Sequence, residues 1–498
     1  MELLLLILLG LITYFIVKRS VASITRTPVW LLWLVMMTPA LLWSGWTLVY
    51  GRDIEQMPPT LFFGPFVACP ILYWLLIQWG RRDPSPPVNP QAETTTSISA
   101  SQQVITPTRE EPTLRPISKQ EEKELRNCFP WGVYYLQNVE YRPQAVLCRG
   151  KLRTNPDAAY QTVRNNIEAE FGDRFFVIFQ ESLNGSPFFA LVPNPQAQYQ
   201  KAERVPERVT QPGVALVLML ITLLTTTIVG AGIAGVTPEA WQADPSLLLT
   251  GLPYAIALMT ILSIHELGHY VAAMCYKMRT TLPYFIPVPF FLGTFGAFIQ
   301  MRSPVPNRKA LFDVGIAGPF AGLVVTLPLL MWGLAHSSVV PLSDTSGLLN
   351  FESLNPRSFF LLTVLSKWAL GNQLMPETAI KLHPVAVAGY IGLIVTALNL
   401  MPVGQLDGGH IVHAMFGQRT GAIVGQITRL LMLVLALQER DLLLWAVILL
   451  FMPVADEPAL NDVSELDNWR DFWGFLALVI LVSIVLPPPS AIIGLLKV

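Results

Sequence analysis

Apolar stretches recur along this chain at lengths that suit a bilayer. They lie near residues 2–17, 29–50 and 61–80, and again near 213–234, 251–276, 313–335, 384–403 and 471–486. Two shorter stretches, about 421–437 and 442–453, predict a hairpin. Between the two sets the pattern changes. From 83 to 118 the chain is rich in Pro, Ser, Thr and Gln without an apolar period, which predicts a disordered linker. From 119 to 210 it reads as a small soluble α+β domain. A strand is expected near 144–149 and a helix from Thr154-Asn155-Pro156-Asp157 to Gly172; further strands near 174–180 and 187–192 flank the turn Asn184-Gly185. Residues 281–300 break the pattern differently. Pro283, Pro287 and Pro289 forbid a straight helix there, and Gly293 and Gly296 interrupt the aromatics. A β-hairpin or re-entrant element shielded by helices is expected.

The predicted fold class is therefore a polytopic α-helical membrane protein with a re-entrant β-hairpin element and a small soluble α+β domain. Its parts are an N-terminal membrane region of three spans (1–82), the linker (83–118), the soluble domain (119–210) and a second membrane block (211–498). Composition agrees: 52% of the 498 residues are hydrophobic and 13% charged, against about a quarter charged in soluble proteins. A net charge of −1 excludes a general nucleic-acid binder, since no basic face dominates. Cys69, Cys128, Cys148 and Cys275 stand far apart, which predicts buried or free thiols rather than disulfides or a thiolate zinc site.

Basic pairs follow the first span (Lys18, Arg19) and the third (Arg81, Arg82), whereas Arg52 and Asp53 cancel after the second. The positive-inside rule then places the N-terminus outside and the segment after Arg82 in the cytoplasm. Met1 to Val17 lacks a basic n-region and a small-residue cleavage site, so it reads as a retained span. With no Arg- and Ser-rich transit segment before it, a bacterial protein is favoured over a plastid-imported precursor.

Charge inside the spans carries the chemistry. Glu266 is the sole charged residue from 245 to 276, and Asp407 the sole one from 382 to 418. An ionisable group in a membrane segment costs a few kcal/mol and is a functional candidate by default. Glu266 stands in His265-Glu266-Leu267-Gly268-His269. Histidines four apart on a helix share one face, about 6 Å apart along the axis, and can converge on zinc with the intervening carboxylate beside the metal as general base. The plainer reading is helix–helix hydrogen bonding by the same side chains. A catalytic zinc site usually takes three protein ligands. Asp407, in Asn399-Leu400-Met401-Pro402-Val403-Gly404-Gln405-Leu406-Asp407-Gly408-Gly409, is the candidate third. Asp-Gly-Gly is also ordinary turn chemistry, and it is the charge-free span before it that favours a ligand. The HELGH span runs inward to Lys277 and Arg279, which puts His265 and His269 roughly 18 and 12 Å below the cytoplasmic end. The 384–403 span runs the same way, so Asp407 approaches the same membrane face.

Together, HELGH and the later NLMPVGQLDGG segment resemble the site-2 protease family of zinc intramembrane metalloproteases. Further matches at Gly293-Thr294-Phe295-Gly296, Gly318-Pro319-Phe320-Ala321-Gly322 and Asn461-Asp462-Val463-Ser464-Glu465 resemble its plastid and cyanobacterial branch, the ethylene-dependent gravitropism-deficient and yellow-green proteins. The resemblance covers roughly residues 125–486. It implies a multi-helix zinc protease core with His265, His269 and Asp407 as Zn2+ ligands, Glu266 as general base, and Asn399 positioning substrate or stabilising an oxyanion. It also implies a cyanobacterial plasma or thylakoid membrane, with a chloroplast membrane as the alternative, and an active site toward the cytoplasm. Where relatives carry Gly-Asn-Leu-Arg this chain has Gly150-Lys151-Leu152-Arg153, which puts in doubt a binding role for that motif.

The expected partners are membrane proteins with a transmembrane segment, within the lipid bilayer, with no nucleic acid and with homo-oligomerisation open. A transmembrane helix hides its peptide bonds, so a substrate must unwind locally. The 281–300 element can accept the unwound segment by strand addition, with Gly293, Thr294, Phe295 and Gly296 as substrate-binding residues; structural padding is the alternative. His410 and His413, three apart after the Asp-Gly-Gly turn, read as supporting or interfacial residues, with a second metal site less favoured. Arg429 is expected to snorkel or pair within the protein, while Lys367, His336 and His383 read as interfacial. The competing function is a proteolytically silent zinc-binding membrane chaperone, scaffold or transporter. Transporters usually show paired repeats with broken helices, and no duplication is evident here.

Overall fold

A computed structural model describes residues 117–142, 145–182, 184–194, 211–342, 350–438 and 442–496, together with 27–50 and scattered positions before residue 81. The expected linker to residue 116, and most of the spans expected at 2–17 and 61–80, lie outside the described residues. The chain forms two units, residues 1–109 and 110–498. In the first, helix α1 (Val29–Tyr50) is uncharged and mostly apolar and continues through Pro39. Leu32 packs with Val17, Tyr73 and Leu76, and the Trp33 indole donates to the Gly10 carbonyl at 2.7 Å.

The second unit begins with a sheet module. A capping box at Ser118 and Glu121 starts helix α2 (Lys119–Asn127), satisfying end groups of a helix too polar to be read from periodicity. Four strands follow, β1 (Tyr134–Arg142), β2 (Ala145–Leu152), β3 (Phe175–Glu181) and β4 (Pro187–Pro193), in the antiparallel order β1-β2-β4-β3. Helix α3 (Pro156–Phe171) starts on Asn155, whose side chain accepts from the Asp157 amide. It buries Ala159, Tyr160, Val163 and Ile167, the one-face spacing of a helix on a sheet. Phe179 and Phe189 stack at 4.2 Å in the core between them. Cys128 and Cys148 are free thiols buried there. Burial, reinforced by Glu170 and Glu124, pushes Cys128 up to about 11, and burial pushes Cys148 up to about 12. Neither thiol is nucleophilic at neutral pH.

The helical block follows. Among the described residues six helices are long and apolar enough to cross a membrane, over 29–46, 212–233, 245–275, 308–335, 418–437 and 468–485; this is a multi-pass membrane protein. Its central elements are α4 (Pro212–Ile233), α5 (Leu252–Cys275), α6 (Arg308–Ala335), α7 (Phe360–Leu370) and α8 (Pro384–Leu400). After these come α9 (Asp407–Phe416), α10 (Gln418–Gln438), α11 (Leu443–Phe451) and α12 (Asn468–Val485). α8 is short, at 17 residues, and lies buried against α5 and α6. With nine residues α11 reaches only about 14 Å, so it folds against α10 instead of crossing. Two short ribbons decorate the bundle, β5 (Tyr284–Pro287) with β6 (Thr294–Phe298), and β7 (Ser338–Pro341) with β8 (Thr378–Lys381).

In a membrane, helices gain by backbone approach, and small residues permit it. Along the α5–α6 seam a Cβ on Gly268 would stand 2.5 Å from the Ala317 carbonyl oxygen. On the facing helix, a Cβ on Gly318 would stand 2.1 Å from the His269 Nε2. The Gly318-Pro319-Phe320-Ala321-Gly322 segment is thus the surface into which the α5 histidines sink.

Candidate metal centre

α5 carries His265, Glu266 and His269 on its buried face, at 3%, 8% and 8% exposure. The rings meet edge to face with centroids 4.9 Å apart. The His265 and His269 Nε2 atoms are 3.2 Å apart. His269 Nδ1 lies 2.8 Å from the Val314 carbonyl, which can only accept a hydrogen bond. That contact fixes the neutral tautomer with its proton on Nδ1 and leaves the Nε2 lone pair facing His265.

The loop after α8 brings the third group. It doubles back so tightly that a Cβ on Gly408 would fall 1.9 Å from the Leu400 carbonyl oxygen. Helix α9 therefore starts at Asp407, in the first turn where the helix dipole favours a carboxylate. Its Oδ2 sits 3.5 Å from His265 Nε2 and 3.3 Å from His269 Nε2. The Asn399 amide, near the end of α8, lies 3.0 Å from His265 Nε2. Glu266 accepts from the Ile299 amide at 2.9 Å, just past β6.

His265, His269 and Asp407 thus offer three atoms at mutual separations of 3.2, 3.3 and 3.5 Å. Ligands at 2.0–2.2 Å on a tetrahedral ion stand about 3.3–3.5 Å apart. Two imidazole nitrogens and a carboxylate oxygen facing one point at this spacing are a donor set that a single cation satisfies. The donor set fits zinc. His265, Glu266 and His269 together form a group whose ligand atoms lie within 4.8 Å of one another.

The residues singled out from the sequence at 293–296 belong to the β5–β6 ribbon, which is followed by the Ile299 amide that meets Glu266. Thr294 is buried, and its hydroxyl donates to the Ile286 carbonyl and accepts from the Gly296 amide, both at 2.9 Å. Gly293 lies against α4, where the Thr225 hydroxyl donates to its carbonyl at 2.7 Å. Phe295 is 69% exposed. Lys151, where the resemblance departs, lines a cleft with Asp157, Ser186, Ser464 and Glu465, away from the metal centre. Arg429 is buried and donates to the carbonyls of Met452 and Pro453 at the end of α11.

Two features of the site carry no local signal in the sequence. Asn399 came from family likeness alone, since nothing in its spacing marks it. The partners of His410 and His413 are Asp456 and Asp462, tail acids 43 to 49 residues from them. Asp462 belongs to the Asn461–Glu465 motif, which was the available signal.

Residues 253–437 match the model of Peptidase family M50, and residues 123–199 match the EGY3 middle domain. The chain is 28% identical to the "Probable zinc metalloprotease EGY1, chloroplastic" of Arabidopsis thaliana, over 69% of this chain and 66% of the relative. Its identity to the protein of the same name from Oryza sativa subsp. japonica is 30%, over 69% and 63%. To the "Probable zinc metalloprotease EGY2, chloroplastic" of Arabidopsis thaliana it is 28%, over 74% and 64%. The chain thus spans slightly less than two thirds of the length of these curated relatives. No solved structure matches it. The helical block thus carries a Peptidase family M50 (site-2 protease) domain, an EGY3-type middle domain precedes it, and the chain's curated relatives are zinc metalloproteases of the EGY branch.

Proposed function

We propose that this chain is an intramembrane zinc metalloendopeptidase that cleaves peptide bonds in or near transmembrane segments of membrane proteins. One observation carries the reading: three buried donors from two distant segments, His265, His269 and Asp407, meet at zinc-ligand spacing inside apolar helices. The names of the relatives, all zinc metalloproteases, support the same assignment.

His265, His269 and Asp407 would hold the ion. When bound, zinc lowers the pKa of a water to about 7 and polarises a carbonyl. Glu266 takes the proton from the attacking water as its oxygen bonds to the peptide carbon. Glu266 then hands that proton to the amide nitrogen as the C–N bond breaks, leaving a carboxyl and an amine. The Ile299 amide keeps this carboxylate aimed. The Asn399 amide, an uncharged donor beside His265, is placed to hold the carbonyl oxygen as it gains charge. Buried helices exclude bulk water, so the unwound substrate strand enters beside the β5–β6 ribbon, where Gly293, Thr294, Phe295 and Gly296 receive it. The setting is a cyanobacterial plasma or thylakoid membrane, or a plastid membrane, with the centre toward the cytoplasmic or stromal side.

The test compares purified wild type with Glu266→Gln for zinc content and for cleavage of candidate single-span proteins. Equal zinc with cleavage lost in the variant supports the reading; equal cleavage by both overturns it.

A further inference from the structure

The segment after α11, residues 456–465, is tied on both sides. Its middle makes isolated bridges through Asn461 to Phe179 of the sheet module and to Asn307 at the entrance to α6. The Phe179 amide donates to Leu460 O at 2.7 Å and the Asp462 amide to Phe179 O at 2.9 Å. On the other side the Leu460 and Asn461 amides donate to Val305 O and Pro306 O at 2.9 and 3.0 Å. Asn461 also reaches Asp157, at the start of α3, with its side-chain amide at 3.1 Å. This covers the β3 edge of the module, an edge that proteins normally protect.

The same segment then reaches the metal-side helix. Asp462 contacts His413 Nε2 at 2.9 Å, and Asp456 Oδ2 contacts both His413 Nδ1 and His410 Nδ1 at 2.8 Å. Both nitrogens of His413 face carboxylates, which have no proton to give, so the ring is an imidazolium held between two anions. It is 1% exposed, and the two acids are 7% and 8% exposed. His413 lies six residues from Asp407 on the ten-residue α9, about 9 Å along its axis. A helix this short moves as one piece, so whatever holds His413 sets where Asp407 points.

We propose that the 456–462 segment couples the sheet module to the metal centre, with Asp462 and His413 as positioning residues: seating of β3 on Leu460–Asp462 fixes α9 and thereby the Asp407 carboxylate. This rests on the zinc reading above for its functional consequence. Breaking either end of the link loosens α9. At the helix end the break leaves the buried His413 ring with one carboxylate, Asp456, instead of two and its Nε2 without a partner in the segment. At the module end, loss of the Asn461 side-chain tie to Asp157 loosens the segment that carries Asp462.

The test uses the purified full chain in detergent as wild type, Asp462→Ala, Asp462→Asn, Asn461→Ala and the Asp462→Ala/Asn461→Ala double variant. Zinc affinity is measured by chelator competition, and amide hydrogen exchange is followed over residues 407–416. The expected result is zinc binding about tenfold weaker in Asp462→Ala and in Asn461→Ala, as for other residues that orient ligands. Exchange across α9 should be faster in both. Asp462→Asn, which keeps an acceptor for His413, should retain most of the affinity, and the double variant should be little weaker than Asp462→Ala, because both act on one path. Unchanged affinity and exchange in both single variants would overturn the proposal. So would an effect confined to Asp462→Ala, which would make Asp462 a local strut unconnected to the module. Should Asp462→Ala fail to fold, Asp462→Asn and Asn461→Ala carry the same test. The exchange measurement needs no metal, so it decides the coupling even in a chain that binds no zinc.

Discussion

Two clusters of histidines and acids share the metal-side end of the helical block and do opposite things. In the first, His265, His269 and Asp407 point their acceptor atoms at one spot, 3.2 to 3.5 Å apart. In the second, acids and imidazoles alternate, Asp462–His413–Asp456–His410, at 2.8 to 2.9 Å. Three atoms converging on one spot suit a cation, whereas acids and imidazoles in alternation are complete once protons fill the gaps. Residue content therefore does not decide chemistry; direction does. The first cluster is built by helix spacing and a tight loop, and the second by a tail that returns from far along the chain.

Replacing the carboxylate beside the convergent cluster should have the largest effect. Glu266→Gln is expected to keep zinc and lose about 10²–10⁴-fold in cleavage rate, the range for a general acid–base group; metal content and peptide-bond turnover check this together. Gly318→Ala comes next, although it touches no charge. The added Cβ would overlap the His269 ring, and displacing a catalytic group by about 1 Å can cost 10²-fold. Zinc affinity should fall by at least tenfold while helix content holds.

The alternating cluster predicts a pH dependence. Burial opposes the charge on His413, but hydrogen bonds to Asp456 and Asp462 and their negative charge raise it from 6.5 to about 9. The group gains its proton partners on folding, so its contribution is full below about 6.5 and disappears as pH rises through about 9. Asp456, resisted by burial but held down by His410 and His413, falls from 3.8 to about 2; its contribution is present above 3.8 and lost as pH falls through about 2. Arg308, beside this cluster, donates to the Ala414 carbonyl. The difference in thermal midpoint between wild type and His413→Gln should therefore shrink between pH 7 and pH 10. A constant difference would contradict the charged ring. The smallest effect belongs to an ion pair outside both clusters. Arg470 grips Asp313 through two nitrogens at 2.7 and 2.8 Å and also pairs with Asp467. All three are partly exposed, so Arg470→Ala should cost at most about 1 kcal/mol and leave zinc binding unchanged.

The same contrast explains what the sequence made legible. His265 and His269 are readable because an α-helix puts positions four apart on one face, and a charge-free span advertises Asp407. The helix that Asp407 begins was not readable, since Asp-Gly-Gly suggests a turn until the loop is seen folding back on Leu400. Strand β1 is not legible in the sequence because its interior residues Gln137, Asn138 and Glu140 blur the alternation and a bulge between Leu136 and Asn138 shifts its register. Helix α2, Lys-Gln-Glu-Glu-Lys-Glu-Leu-Arg-Asn, has one buried apolar position and depends on its cap. Contacts between His413 and acids more than 40 residues away follow no local spacing rule, so they appear only once the tail is placed against β3.

The central claim is that His265, His269 and Asp407 form one zinc site. X-ray absorption at the zinc edge on the purified full chain tests it most directly. The account predicts one zinc per chain with nitrogen and oxygen scatterers at about 2.0–2.2 Å, lost in His269→Ala. A chain purified without zinc, or sulfur scattering near 2.3 Å from a thiolate site, would contradict it.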